Sequence, residues 1–358
     1  MILDVVKILL PALLGFLVGM GITPIITDFL YKNKMWKKKV KSVTMDGREA
    51  TVFMSLHKNN EVSTPRMGGV IIWVSAFVTA FMFWFLAKIA RLEAFQDLEF
   101  ISRNQTWIPF FTLLLGALVG LVDDLMEIKG SSDNKIGGLS SKKRLLFVGL
   151  VALAISVWFY TKLEISQIFL PYLGYFDLGI LFIPFFILTM LFIYSGGVID
   201  GIDGLAGGVF TVAFAAYGII AFSNNQIDLA AFCALIVGSI LSFLWFNIPP
   251  ARFYMSETGS MALTITLTTV ALMTDKLGDG AGLVVLPIIA LPLVITVLSV
   301  IVQMISKKLR GGKKVFLSAP IHHHFEALGW PSYKVTMRYW VFGLISATFG
   351  VIISILIQ

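Results

Sequence analysis

Two adjacent carboxylates, Asp123 and Asp124, close an apolar run over residues 106–122. Asp200, Asp203 and Glu257 stand in the same way at the mouths of apolar segments. Ionisable groups at or inside a bilayer boundary are expensive, so acids placed there read first as a functional site. Neighbouring carboxylates can share a Mg²⁺, or one can bind metal while the other acts on a proton. The plainer reading, a solvated helix end, is costly because acids at a helix C-terminus oppose the macrodipole. Five carboxylates at one face suit a divalent cation and the phosphates that accompany it.

The stretch Ser195-Gly-Gly-Val-Ile-Asp200-Gly201-Ile-Asp203-Gly204-Leu-Ala-Gly-Gly208 sets two acids three residues apart among glycines. Glycines such as Gly201 and Gly204 let backbone N–H groups approach a ligand closely, and the helix that follows offers its N-terminus to an anion. A glycine-rich hairpin between two helices is the simpler explanation, but it does not need the two acids. In Asn247-Ile-Pro-Pro-Ala-Arg-Phe-Tyr-Met-Ser-Glu257-Thr-Gly-Ser260, Glu257 sits just before an apolar run, where an N-cap neighbour is an equally good reading. His322, His323 and His324 are consecutive in a basic loop. Histidine can ligate metal, move a proton or donate to phosphate, but three in a row on a helix cannot face one point, so at most two share a task. Thr64-Pro65 reads as a helix start, with Thr64 as N-cap and Pro65 at the first position; Gly68 and Gly69 are left unexplained by it.

These groups need elements to hold them, and composition says which. The chain has 358 residues, is 57% hydrophobic and 14% charged, and has a mean hydropathy of +0.87. A soluble domain would carry about 25% charged residues. Apolar runs of about 20 residues fall at 5–30, 67–90, 106–122, 143–161, 179–196, 204–222, 228–246, 258–274, 282–305 and 336–357. The expected fold is therefore an all-α polytopic membrane protein of about ten transmembrane helices, forming one integral-membrane domain over residues 1–358. The first run is too long for a cleaved signal peptide and lacks a basic start. Pro287 and Pro292 should kink or break the run at 282–305. Gly15-xxx-Gly19 and Gly116-xxx-Gly120 are candidate helix contacts. A lone cysteine, Cys233, excludes a disulfide framework.

Ten spans put both termini on one side. All but six of the 28 Lys and Arg residues fall on the other face, the exceptions being Lys7, Lys88, Arg91, Arg103, Lys162 and Lys276. The basic face is cytoplasmic and the termini are outside. The net charge of +7 thus reflects orientation in a lipid bilayer, not nucleic-acid binding. Every polar cluster named above then lies in a cytoplasmic loop. The outer loops hold only scattered charges.

Taken in order, the motifs resemble the polyprenyl-phosphate N-acetylhexosamine-1-phosphate transferase superfamily, over about Thr64 to Trp340. The resemblance is strongest to its bacterial cell-wall branch, through Pro320-Ile-His322-His323-His324-Phe-Glu326; Asp123-Asp124, Asp200-Gly-Ile-Asp203-Gly-Leu-Ala206 and Trp245-Phe-Asn247 match as well. That branch implies transfer of phospho-N-acetylmuramoyl-pentapeptide from its UDP-linked form to undecaprenyl phosphate at the cytoplasmic face of the bacterial membrane, with Mg²⁺ and release of UMP. A sister activity using UDP-N-acetylglucosamine is the alternative within the superfamily, and a homodimer is compatible with it. Carried over residue by residue, Asp123 and Asp124 would be the catalytic acids and, with Glu257, the metal ligands. Asp200, Asp203, Asn247, Gly201 and Gly204 would lie by the nucleotide, and His322, His323 and His324 by the sugar phosphate.

The chain also departs from that pattern. Glu257 stands where the family has aspartate, and Gly197 where it has asparagine. Glu61 and Glu127 replace two lysines, and Arg66 replaces a threonine. The lost lysines leave the phosphate contacts to other cations, for which Arg66, Lys129 and Lys142–Arg144 are the candidates.

Overall fold

Apolar length dictates the architecture, because in lipid a backbone must satisfy its own polar groups and helices do so locally. The computed structural model describes residues 2–37, 63–130, 138–170, 174–277 and 281–357. Its helices are α1 (Ile2–Lys32), α2 (Val70–Trp84, continued by a π turn to Ile89), α3 (Trp107–Lys129) and α4 (Ser141–Lys162). After a hairpin follow α5 (Phe182–Ser195), α6 (Leu205–Ser223), α7 (Ile227–Asn247) and α8 (Ser256–Leu277). The chain closes with α9 (Gly282–Ile289), α10 (Leu291–Leu309), the short α11 (Ile321–Ala327) and α12 (Ser332–Leu356).

Among the described residues, nine helices are long and apolar enough to cross a membrane. The expected span at 258–274 is not among them, although α8 has 22 residues. Its threonines, including Thr264, Thr266, Thr268 and Thr269, lower its hydropathy, and they are buried. Several return their hydroxyls to the preceding turn, as Thr268 Oγ1 does to the Thr264 carbonyl at 3.0 Å. A helix surrounded by protein can carry such residues. α8 is that helix, packed against α2, α3, α5, α6 and α9.

Small residues bring the helices close enough to lock. Gly15 and Gly19 of α1 face Leu235, Ser239 and Ser242 of α7, where a Cβ at Gly19 would lie 2.0 Å from Ser242 Oγ. Gly116 and Gly120 of α3 face Ala262 and Glu257 of α8 in the same way. Both glycine pairs are thus real contacts. The expected run at 282–305 is broken at Ala290, between Pro287 and Pro292, into α9 and α10. One feature had no sequence counterpart: β1 (Gln167–Leu170) pairs antiparallel with β2 (Gly174–Asp177).

The Thr64-Pro65 helix start is corrected. α2 begins at Val70 with Gly69 as its N-cap. The preceding backbone is bonded elsewhere: Pro65 O accepts Tyr254 N at 2.8 Å, while Gly68 N and Gly69 N donate to Tyr254 O at 2.8 Å and Met255 O at 3.1 Å. This pairing explains the glycines. A Cβ on Gly69 would lie 2.4 Å from Gly259 N, so nothing larger lets the two segments meet.

Candidate active site

The Asp123–Asp124 pair is not at a helix end. α3 runs on to Lys129, and both side chains are fully buried. Gly120, one turn earlier, sits against the backbone of Glu257 and Thr258, which draws the pair onto the first turn of α8. There Asp124 Oδ2 accepts the Thr258 backbone N–H at 2.9 Å and the Thr258 hydroxyl at 2.6 Å. Asp123 Oδ1 accepts the Leu139 N–H. Gly138 (φ +66°) makes that approach possible, since a Cβ there would lie 2.9 Å from Asp123 Oδ1.

Two arginines thread the acids together. Arg144 Nη2 lies 3.1 Å from Asp123 Oδ2, and its Nη1 donates to Glu257 Oε1. Arg66 Nη2 lies 3.4 Å from Asp124 Oδ1 and 2.9 Å from Glu127 Oε2, whose other oxygen takes Lys37 Nζ at 3.2 Å. Burial works against the Arg66 charge, but Glu127, Asp124, Asp200 and Glu257 together hold it above its ordinary value. None of this cross-linking was legible in the sequence. Arg66 and Arg144 had appeared only as candidate replacements for lysines.

Asp200 enters from the loop between α5 and α6. Its Oδ2 accepts Ser256 N at 2.7 Å, next to Glu257. Burial pushes its carboxyl up to about 6, against the pull of that N–H and of Arg66. Asp203 and Asn247 build the loop. Asp203 Oδ2 accepts Ala251 N at 3.0 Å; Asn247 Oδ1 accepts Gly204 N at 3.0 Å, and its Nδ2 donates to Phe253 O at 2.8 Å. Gly204 (φ +75°) is the N-cap of α6, a conformation glycine adopts without strain.

The histidines divide two and one. His322 and His323 pack with ring centroids 4.4 Å apart, and a Cβ at Gly201 would lie 2.8 Å from Nε2 of each. Gly201 is therefore needed to let both imidazoles meet the Asp200 loop. His323 Nδ1 lies 2.7 Å from Glu326 Oε2, and Glu326 Oε1 accepts the Ser332 hydroxyl at 2.6 Å. His324 turns away, its Nδ1 accepting Leu317 N at 3.2 Å. Glu326 is the residue the sequence reasoning quoted but gave no role.

The acids converge, but not as a cage. Among the described residues no group of three His, Cys, Asp or Glu side chains is placed to hold a metal ion. Their donors are still of the right kind. Asp123 Oδ2, buried and near Arg144, has no hydrogen bond among the described residues, and hard carboxylate oxygens suit Mg²⁺, which takes one or two carboxylates and completes its shell with phosphate oxygens and water. Asp123, Asp124 and Glu257 are hard oxygen donors of the kind Mg²⁺ takes.

The model of Glycosyl transferase family 4 matches residues 106–275, which include the acid pair, the Asp200 loop and most of α8. The phospho-N-acetylmuramoyl-pentapeptide-transferase of Bacillus subtilis (strain 168) is 33% identical over 353 residues, 97% of this chain and 98% of that one. That of Geobacillus sp. (strain WCH70) is 32% identical over 97% of each chain. That of Listeria innocua is 37% identical over 82% of this chain and 84% of its own. With nine candidate spanning helices and this degree of likeness along its length, the chain is a multi-pass membrane protein that belongs to the phospho-N-acetylmuramoyl-pentapeptide-transferase family.

Proposed function

We propose that the chain transfers phospho-N-acetylmuramoyl-pentapeptide from its UDP-linked form to undecaprenyl phosphate, at the cytoplasmic face of a bacterial inner membrane with both termini outside. One observation carries the reading: a buried acid pair on α3 is held against α8, beside the Asp200 loop, whose Gly201 meets His322 and His323. Acids, cations and imidazoles at one end of a helical bundle suit a diphosphate more than any uncharged substrate.

A phosphate oxygen of the lipid attacks the phosphorus that bears the sugar, and the bond from that phosphorus to the bridging oxygen breaks. UMP leaves with that oxygen, and the sugar ends on a lipid diphosphate. Mg²⁺, held by Asp123, Asp124 and Glu257, would neutralise diphosphate charge as it builds. Thr258 fixes the orientation of Asp124, and Arg144 that of Asp123 and Glu257. His322 and His323 lie across the Asp200 loop, where they would donate to the sugar phosphate. The lipid tail stays in the bilayer.

The test is UMP release from the UDP-linked substrate by the purified protein. Asp124→Asn and Glu257→Gln should each lower it at least about a hundredfold, the scale of a lost charged group at a phosphoryl-transfer site. Wild-type rates in both variants would refute this assignment of the site.

A further inference from the structure

Arg66 and Glu127 are 61 residues apart in the chain, and the structure brings them to 2.9 Å. Glu127 also binds Lys37 at 3.2 Å, so it is gripped from two sides. Among the described residues the Arg66 guanidinium meets acid through Nη2 alone. Its Nε is buried and finds no hydrogen-bond acceptor among the described residues. A buried charged donor left unmade carries its full desolvation penalty, and a guanidinium N–H donates strongly to a phosphate oxygen.

The competing cations are placed differently. Lys129, Lys142 and Lys143 are exposed. Arg144 is occupied by Asp123, Glu257 and, through Nε, the Leu139 carbonyl at 3.1 Å. Among the described residues, Arg66 has a buried donor to spare, beside Asp124 and Glu127.

We propose that Arg66 binds an oxygen of the substrate diphosphate through its Nε–H, and that Glu127, braced by Lys37, aims it there. This rests on the proposed function, in that a diphosphate must enter this site.

The probe is UDP, titrated calorimetrically into the full chain in detergent. Arg66→Thr should weaken UDP binding about tenfold or more, the loss of a charge-assisted hydrogen bond. The double variant Arg66→Thr/Glu127→Lys should recover most of that loss, because the cation returns to the other side of the pair. Arg66→Lys, which keeps the charge but not the Nε–H, should weaken binding severalfold and serves if Arg66→Thr does not fold. Wild-type affinity in Arg66→Thr or Arg66→Lys, or a double variant no better than Arg66→Thr, would overturn the inference. A wild-type protein that binds UDP and releases no UMP from any UDP-sugar would overturn the functional reading and leave the inference standing.

Discussion

Asp124 on α3 and Thr258 on α8 are joined twice, through the Thr258 N–H at 2.9 Å and its hydroxyl at 2.6 Å, both on one carboxylate oxygen. The pair ties the acid to the first turn of the central helix. Removing the hydroxyl takes away a hydrogen bond to a charged group, worth about 1.5–3 kcal/mol. Thr258→Val should therefore cut UMP release about tenfold or more. Thr258→Ser, which keeps the hydroxyl, should stay near wild type.

The same junction depends on Gly120, where a Cβ would lie 2.2 Å from Glu257 O and 2.7 Å from Thr258 Cα. These neighbours are backbone and cannot swing aside. Gly120→Ala should cost about 1–3 kcal/mol of stability through overpacking, read as a lower unfolding temperature in detergent, and should lower activity with it. Gly149→Ala is the control, since a Cβ there meets nothing within 4 Å.

Asp200 has a stability cost that follows from its burial. Its carboxyl is pushed from 3.8 up to about 6. A buried acid raised in the folded state favours the protonated form, so stability is lost as pH rises from about 4 through 6 and stays lost above. The full difference is on the order of 3 kcal/mol. Asp200→Asn should accordingly raise the unfolding temperature at pH 7.5, do so far less at pH 4, and still lower UMP release. An equal effect at both pH values would contradict the assignment.

Glu326 holds His323 at 2.7 Å through Nδ1, and Ser332 holds Glu326 at 2.6 Å. The bond turns His323 Nε2 toward Gly201. Glu326→Gln offers a neutral, weaker partner that can present its amide instead of its oxygen. UMP release should fall about tenfold, with little change in unfolding temperature. A large drop in unfolding temperature, or wild-type UMP release, would mark Glu326 as a packing residue only.

Much of this arrangement was legible in the sequence, for a physical reason. Lipid forces helices, and helix length follows from runs of apolar residues, so α1, α2 and α7 could be read directly. The glycine pairs on α1 and α3 also announced their contacts. α8 was the harder case: its threonines are tolerated because protein surrounds them, and burial by neighbours leaves no mark on a helix's own composition. The acid pair, Asp200 and the two inward histidines were visible as residue types in costly places. What joins them was not. Arg66, Glu127, Arg144 and Glu257 meet across long stretches of chain, and the bonding of Pro65–Gly69 to Tyr254–Met255 displaced an expected helix start.

The most direct test compares UMP release by the purified protein from UDP-N-acetylmuramoyl-pentapeptide and from UDP-N-acetylglucosamine, each with undecaprenyl phosphate, in Mg²⁺ and in EDTA. The account predicts UMP from the first substrate only, dependent on both the lipid phosphate and Mg²⁺. Release from UDP-N-acetylglucosamine at a comparable rate, or undiminished release in EDTA, would contradict it.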